Sequence, residues 1–397
     1  AYKLHEKDSI NLIDPSGISG GGREFYGEVL NLKNKALSIS MPIQNVRTDR
    51  LSRCYIDLAA FAGEVTPVQV NYAGTTTVCN IPAVSVEKQY VKGVVDSAII
   101  ECYASSNENQ TINLYFQSNV SGANAYLNYI ELSVPCDLNM VGNQMAISNT
   151  SLLGQSNSIR FHLQGANAHT HIWRVTDGVN IEKMPTTFEN NVLTWIGSNT
   201  TPEKYVAINP TTSNNWLQVK KIGKVANQNL HALENIDYVI ICPEEFVNSA
   251  KRLAKKHEEI DNITWAVVTD QQVYNEFSSG TPDATAYRWL MKMLYDRAQG
   301  DPIKQPKNLL LMGDGTYDNR KIIPASGTRK LLTYQAANSV IETAAYATDD
   351  YFGFMLDHAG IHEGSFVDVR ALMDIGVGRL PVKTQDEAEQ VVDKLCT

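Results

Sequence analysis

Two adjacent carboxylates, Asp349 and Asp350, interrupt an aromatic stretch, TDDYFGF, at 348–354. Neighbouring carboxylates attract a basic side chain or Ca²⁺, and they gain most from either where water is partly excluded. Adjacent residues also point in different directions, so solvation and capping of a loop is the competing use of the pair. Asp314 stands between Gly313 and Gly315, which relax the turn around it and let its carboxylate reach the surface. It is a candidate to coordinate a cation or orient a histidine, with turn geometry as the simpler role, and Asp318 is near enough to join the same polar cluster.

Other groups are weaker candidates. Cys242 ends an apolar run, YVIIC, and a helix start behind it would favour a thiolate. Pro243 removes one amide donor there, however, and no histidine is predictable beside the sulfur, so a buried structural thiol is expected. His358 and His362 have Gly360 between them and no acidic partner, which fits a loop or a core edge. His169 and His171 would share a strand face but need a third ligand to hold Zn²⁺. The sequence has no Walker loop or dinucleotide fingerprint. Acyl transfer by cysteine needs a thiolate, a nearby histidine and oxyanion donors, and that set is not visible as a whole.

The elements that must position these residues change character near residue 230. Before it, apolar or alternating runs at 25–30, 54–58, 68–72, 94–103, 111–116, 125–132, 158–163 and 171–175 are broken by turn residues at 14–17, 20–22, 73–74 and 177–178. Such spacing predicts antiparallel sheets folded as one or two sandwiches. After it, buried strands at 238–242, 265–269 and 309–312 alternate with helical patterns to about 259, over 271–277, and from Thr281-Pro282-Asp283 onward. This βαβαβ order implies a parallel sheet with helices on both faces. Ligands lie beyond the carboxyl ends of such strands, which are Cys242, Asp270, Asp314 and the stretch after 377. A long loop spans 316–348, short strands are expected at 366–369 and 375–377, and Thr384 with Glu387 forms a capping box for a last helix. The division expected is a β-rich region at 1–225 and an α/β portion at 226–397.

With 397 residues, 43% of them hydrophobic, the chain can fill several cores. A formal charge of −9 provides no positive field for a nucleic-acid backbone, so a nucleic-acid partner is excluded as an expectation. No apolar run approaches the roughly 20 residues that span a bilayer. The first residues lack the basic end and apolar stretch of a signal peptide, so an export signal is expected upstream or already removed. The six cysteines form no CxxC pair and leave the redox compartment open.

Five segments, NQNLHA at 227–232, YNEFSSGTPDATAYRWL at 274–290, LLLMGDGTYDNR at 309–320, TDDYFG at 348–353 and IGVGRLPVKT at 375–384, occur in an order that resembles the gingipain-like cysteine peptidases. The closer resemblance is to the surface sortases of the type IX secretion system of Bacteroidota, and AYLNYIELS at 125–133 and HIWRVTDG at 171–178 extend it to the β-rich region. The resemblance implies an all-β sandwich region followed by an incomplete caspase-like α/β domain with a mainly parallel sheet. It implies a parent cysteine endopeptidase that removes C-terminal secretion domains from cargo and transfers cargo to lipopolysaccharide or water. In the family order GRLPVKT precedes both the catalytic histidine, in a Gly-His-Gly context, and the cysteine, so this chain is expected to lack both. The resemblance places TDDYFG near the substrate cleft, which makes Asp349 the leading substrate-pocket or ion-site candidate, Asp350 the second, and Asp314 a support. No cofactor is required for the chemistry, and a structural Ca²⁺ is a candidate. The implied partners are cargo, lipopolysaccharide and outer-membrane secretion components, at the cell surface or outer membrane after export through the periplasm. The alternative is a catalytically silent secretion or adhesion scaffold on the same architecture.

Overall fold

The computed structural model of the chain describes residues 1–13, 21–85, 89–148, 153–212, 220–221, 223–324, 329–357, 359–361 and 372–397. Strand Val94–Tyr103 alternates exposed and buried side chains along most of its length, as expected where one face of a sheet is wet. It is the edge of an antiparallel sheet ordered Tyr2–Glu6, Asn124–Ser133, Leu51–Phe61, Val94–Tyr103, with Val29–Asn31 also paired to Asn124–Ser133. A second sheet, ordered Ala36–Pro42, Asn109–Phe116, Thr66–Tyr72, Thr75–Ile81, faces it. The inner faces share one apolar core that includes Ile56, Leu58, Val70, Ile112, Leu114 and Leu127. Further along the chain, Gln144–Ser148, Lys204–Ile208, His171–Arg174 and Glu182–Lys183 form a sheet, and Ser158–Gln164, Val192–Ser198 and Thr187–Glu189 another. These share a smaller core in which Phe161 stacks on Trp195 at 4.8 Å.

The second half holds the implied parallel sheet, ordered Trp265–Thr269, Tyr238–Cys242, Asn308–Met312, Gly376–Leu380. Tyr238–Cys242 is buried at every position because helices cover both faces of the sheet. Val239 and Ile241 pack with Val273 of α2 (Asp270–Phe277) and Leu290 of α3 (Thr285–Arg297). Ile240 and Cys242 turn the other way, onto Ala250 of α1 (Val247–Asp261) and Val392 of α4 (Gln385–Cys396).

Local differences from the sequence reading have local causes. Helix α3 starts at Thr285, four residues after the proposed cap, because Thr281 is held in a turn by its amide to Ser278 O at 2.9 Å. Asp283 takes over the amide of Thr285 at 2.8 Å. Of the run at 25–30, only Val29–Asn31 is a strand, while Tyr26 makes an isolated bridge to Ile10. Thr75–Ile81 was hidden by three successive threonines, yet the Ala73-Gly74 turn, with φ of 48° and 83°, folds it back on Thr66–Tyr72. The strand expected at 366–369, the turn residues 14–17 and Gly20, and both His358 and His362 lie outside the described residues.

Candidate functional site

The four parallel strands point their carboxyl ends to one edge of the sheet, where the candidate acids lie and a basic residue pairs with one of them. Arg379, on strand Gly376–Leu380, donates from Nε to Asp349 Oδ2 and from Nη2 to Asp349 Oδ1, both at 2.7 Å. The same guanidinium donates from Nη1 to Gly313 O and from Nη2 to Leu332 O, both at 2.8 Å. The side chains of Arg379 and Asp349 are only 12% and 23% exposed, so this fork-on-fork pair works where water is sparse.

Local backbone geometry aims Asp349 at that fork. The two-residue strand pair Tyr334–Gln335 with Ala347–Thr348 brings the chain to the sheet edge. Asp349 then opens a 3₁₀ turn, Asp350–Gly353, in which its carbonyl accepts from Phe352 N at 3.0 Å. Phe352 is fully buried beneath the turn, and Tyr351 stacks on Tyr334 at 4.2 Å and has the Arg288 guanidinium over its ring at 5.2 Å. Asp350 faces outward: its amide donates to Thr348 Oγ1 at 3.1 Å, and among the described residues its exposed carboxylate has no ion pair.

Asp314 sits at the end of Asn308–Met312, and its flanking glycines serve a close approach of two backbone segments. The carbonyl of Asp314 accepts from Lys330 N at 2.9 Å and Leu331 N at 3.0 Å. A Cβ on Gly315 would meet Thr333 Cγ2 at 2.4 Å, and one on Gly313 would meet Leu331 Cγ at 3.0 Å. The Asp314 carboxylate lies 3.5 Å from Lys383 Nζ, not against Asp349. Asp318 is fully buried and accepts from Ile323 N at 2.7 Å, which ties down its own loop. The three candidate acids thus share one edge of the sheet, but Asp349 faces Arg379, Asp314 faces Lys383 and Asp350 faces solvent. Arg379, the residue that organises the edge, was not singled out in the sequence; its only sign was an arginine after Gly376-Val377-Gly378 at the end of a strand.

The remaining groups carry less chemistry. Cys242 is fully buried, and burial, with Asp270 and Glu244 nearby, pushes its thiol up to about 12, which removes the thiolate that nucleophilic attack requires. The thiols that donate hydrogen bonds give them to backbone carbonyls: Cys102 to Tyr72, Cys136 to Val134 and Cys242 to Val268. Asp270 opens α2, and burial raises its carboxyl. His169 lies in a turn ahead of strand His171–Arg174, so it does not share a strand face with His171. Among the described residues no group of three or more His, Cys, Asp or Glu is placed to hold a metal ion. None of the described helices is long and apolar enough to cross a membrane.

Residues 231–397 match the model of Peptidase family C25. The chain is similar to the crystal structure of dimeric latent PorU from Porphyromonas gingivalis, with a TM-score of 0.82 and 27% identity over 99% of this chain. That likeness covers 37% of the PorU chain, so this chain spans well under half the length of its relative. A carbohydrate-binding module CBM36 in complex with calcium and xylotriose matches 34% of this chain and 99% of its own, at 18% identity and a TM-score of 0.23. The CBM36-1 domain of a xylanase from the hindgut metagenome of Trinervitermes trinervoides matches 34% of this chain and 97% of its own, at 12% identity and a TM-score of 0.22. Scores that low carry no argument. No curated protein matches the chain. The gingipain-like resemblance thus holds for the α/β portion, and the succession of β-rich region and parallel sheet is that of PorU.

Proposed function

We propose that this C25-like, PorU-like chain is the β-rich lead-in and first part of the peptidase domain of a surface cysteine endopeptidase of the sortase kind. The observation that carries the reading is the likeness to PorU over 99% of the chain, across both halves and in one order. The parent protein would cleave a C-terminal secretion domain from cargo and pass the cargo to a lipopolysaccharide amine or to water, through a thioester that serves both outcomes. It would act at the cell surface, with other outer-membrane secretion components as partners.

The catalytic histidine and cysteine belong, in this reading, beyond Thr397. Two features support that placement: Cys242 is sealed in the core, and Gly376–Leu380 is, among the described residues, an edge strand against which further parallel strands can add. Asp349 would then position the cleft wall through Arg379, and Asp350, whose carboxylate faces solvent, would be the acid that meets a basic group on the substrate. Asp314 would support the same wall through its carbonyl, and a structural Ca²⁺ would have to compete with Arg379 for Asp349.

The test is cargo processing by the longer protein. Sequence beyond Thr397 is expected to contain a Gly-His-Gly segment and a later cysteine, and a Cys→Ala variant at that position is expected to fold yet leave cargo uncleaved. A parent without that cysteine, or a variant that still processes cargo, would overturn the assignment in favour of a silent scaffold.

A further inference from the structure

A cavity of about 440 Å³ lies where the outer face of the first sandwich meets the segment 336–346, beside the strand pair Tyr334–Gln335 and Ala347–Thr348. The β-rich region lines it with Glu24, Asp57 and Asn128, flanked by the rings of Tyr26 and Tyr129, and the segment 336–346 adds Asn338 and Ser339. Asn128 owes its position to a β-bulge. Leu58 pairs with Leu127 and Asp57 with Tyr129, which leaves Asn128 as the extra residue on its strand. The bulge carries its side chain to Asp57, and Nδ2 donates to Asp57 Oδ1 at 3.1 Å. The Asn128 amide also faces the Glu24 carboxyl.

What this cluster lacks is a paired cation: the side-chain donors to Asp57 are neutral, Asn128 Nδ2 and Tyr55 OH at 3.4 Å, and Arg23 acts on Glu24 without an ion pair among the described residues. Among the described residues neither Glu24 nor Asp57 has an ion pair, and burial raises both carboxyls above the usual range. Arg23, beside Glu24, directs Nη1 to the carbonyl of Gln335 at 3.4 Å. Asn128 is only 7% exposed, and its Oδ1 is buried without a partner. An unmatched buried acceptor is costly, and three acceptor groups converging on one cavity call for a cationic donor. Size decides which cation. A water occupies about 30 Å³, so the site, which is partly open to solvent, is roomier than a bare ion needs and admits a cation on a stem. Val95, Val340 and Ala344 offer aliphatic wall, and the tyrosine rings offer π faces.

We propose that this cavity binds an organic cation, an ammonium or guanidinium group on an aliphatic stem, with Glu24, Asp57 and Asn128 Oδ1 as its acceptors. The cation is either a free small molecule or a Lys or Arg side chain of a polypeptide, and the site is independent of the peptidase reading.

Calorimetric titration of this chain near neutral pH with n-butylammonium and n-butylguanidinium tests it. Saturable one-to-one binding of at least one is expected, weakened about tenfold or more by Glu24→Gln or Asp57→Asn, as for loss of a charge-assisted hydrogen bond. Glu131→Gln, on the same strand as Asn128 but outside the cavity, should leave it unchanged. Val95→Trp, at a position 44% exposed, would fill the cavity and abolish binding while sparing both carboxyls, which covers the case that a carboxyl variant misfolds. A blocked Gly-Lys-Gly peptide separates the sources: tighter binding than butylammonium supports a polypeptide side chain, and weaker binding supports a free amine. Absence of saturable binding, binding indifferent to the carboxyl and Val95 variants, or a site that takes Ca²⁺ but neither amine would overturn the proposal.

Discussion

Arg379 spends four hydrogen bonds on one carboxylate and two carbonyls, so its removal does more than delete a charge. Arg379→Ala leaves Asp349 partly buried without a counter-ion and frees the carbonyls of Gly313 and Leu332. Breaking such a pair from one side costs about 3–5 kcal/mol when buried, and the exposure of Asp349 favours the lower end. Arg379→Lys should recover only part of that loss, because a point charge cannot reproduce the planar fork. The check is the urea midpoint of the α/β half, followed by the fluorescence of Trp265 and Trp289; a shift below about 1 kcal/mol for Arg379→Ala, the range of an exposed pair, would show the fork to be solvated. At this scale the sequence was half legible. Asp349 stood out because charge inside an aromatic run is conspicuous, and Cys242 read correctly as a buried thiol from its apolar neighbours. Arg379 did not stand out, because a pairing across 30 residues leaves no mark on either local pattern.

Elements were most legible where their signals are local. The capping box of Thr384 and Glu387 needs only residues three apart, and it forms as read. The connector ahead of the parallel sheet is a different case, since it is fastened by a residue of another element. Glu276, on α2, accepts from Leu230 N at 2.7 Å, His231 N at 3.1 Å and Gln228 Nε2 at 2.8 Å, and pairs with the ring of His231 at 2.7 Å. Burial alone would raise this carboxyl, but those donors outweigh it and hold it down to about 2, from 4.5 when unfolded. Because the folded value is the lower one, the stabilisation is complete above 4.5 and is lost as pH falls through the interval to about 2. Glu276→Gln should therefore destabilise the chain by about 1.5–3 kcal/mol near neutral pH, the usual worth of hydrogen bonds to a charged group. The difference between variant and parent should shrink across that acidic interval; a difference that stays constant down to pH 2 would mean that Glu276 anchors the connector by shape alone.

The whole molecule depends on contacts that no reading of one sequence could supply, because they join residues about 250 to 315 apart. Segment 336–342 threads between two pieces of the β-rich region. On one side Arg23 N donates to Ala336 O at 2.8 Å and Glu24 N to Ser339 Oγ at 2.9 Å. On the other, Lys92 N donates to Val340 O at 2.7 Å, Glu342 N donates to Tyr90 O at 2.8 Å, and Val91 bridges Ile341. Ion pairs Lys92–Glu342 at 2.9 Å and Arg320–Asp8 at 2.6 Å flank the seam. The sequence reading placed this stretch in a long loop, and its length hinted at a role without revealing that the role was docking. Gly22 is the tightest point: a Cβ there would stand 1.9 Å from Asn338 O and 2.5 Å from Ser339 Oγ, against backbone that cannot swing aside. Gly22→Val should force the seam open rather than damage either core, since neither core includes residue 22. Scanning calorimetry is expected to show the β-rich and α/β transitions drawing apart, with protease cleavage appearing near 336–342. Because the seam also walls the cation cavity, the same variant should lose amine binding. Unchanged calorimetry in Gly22→Val would mean that the two halves are coupled by the flanking ion pairs rather than by the threaded segment.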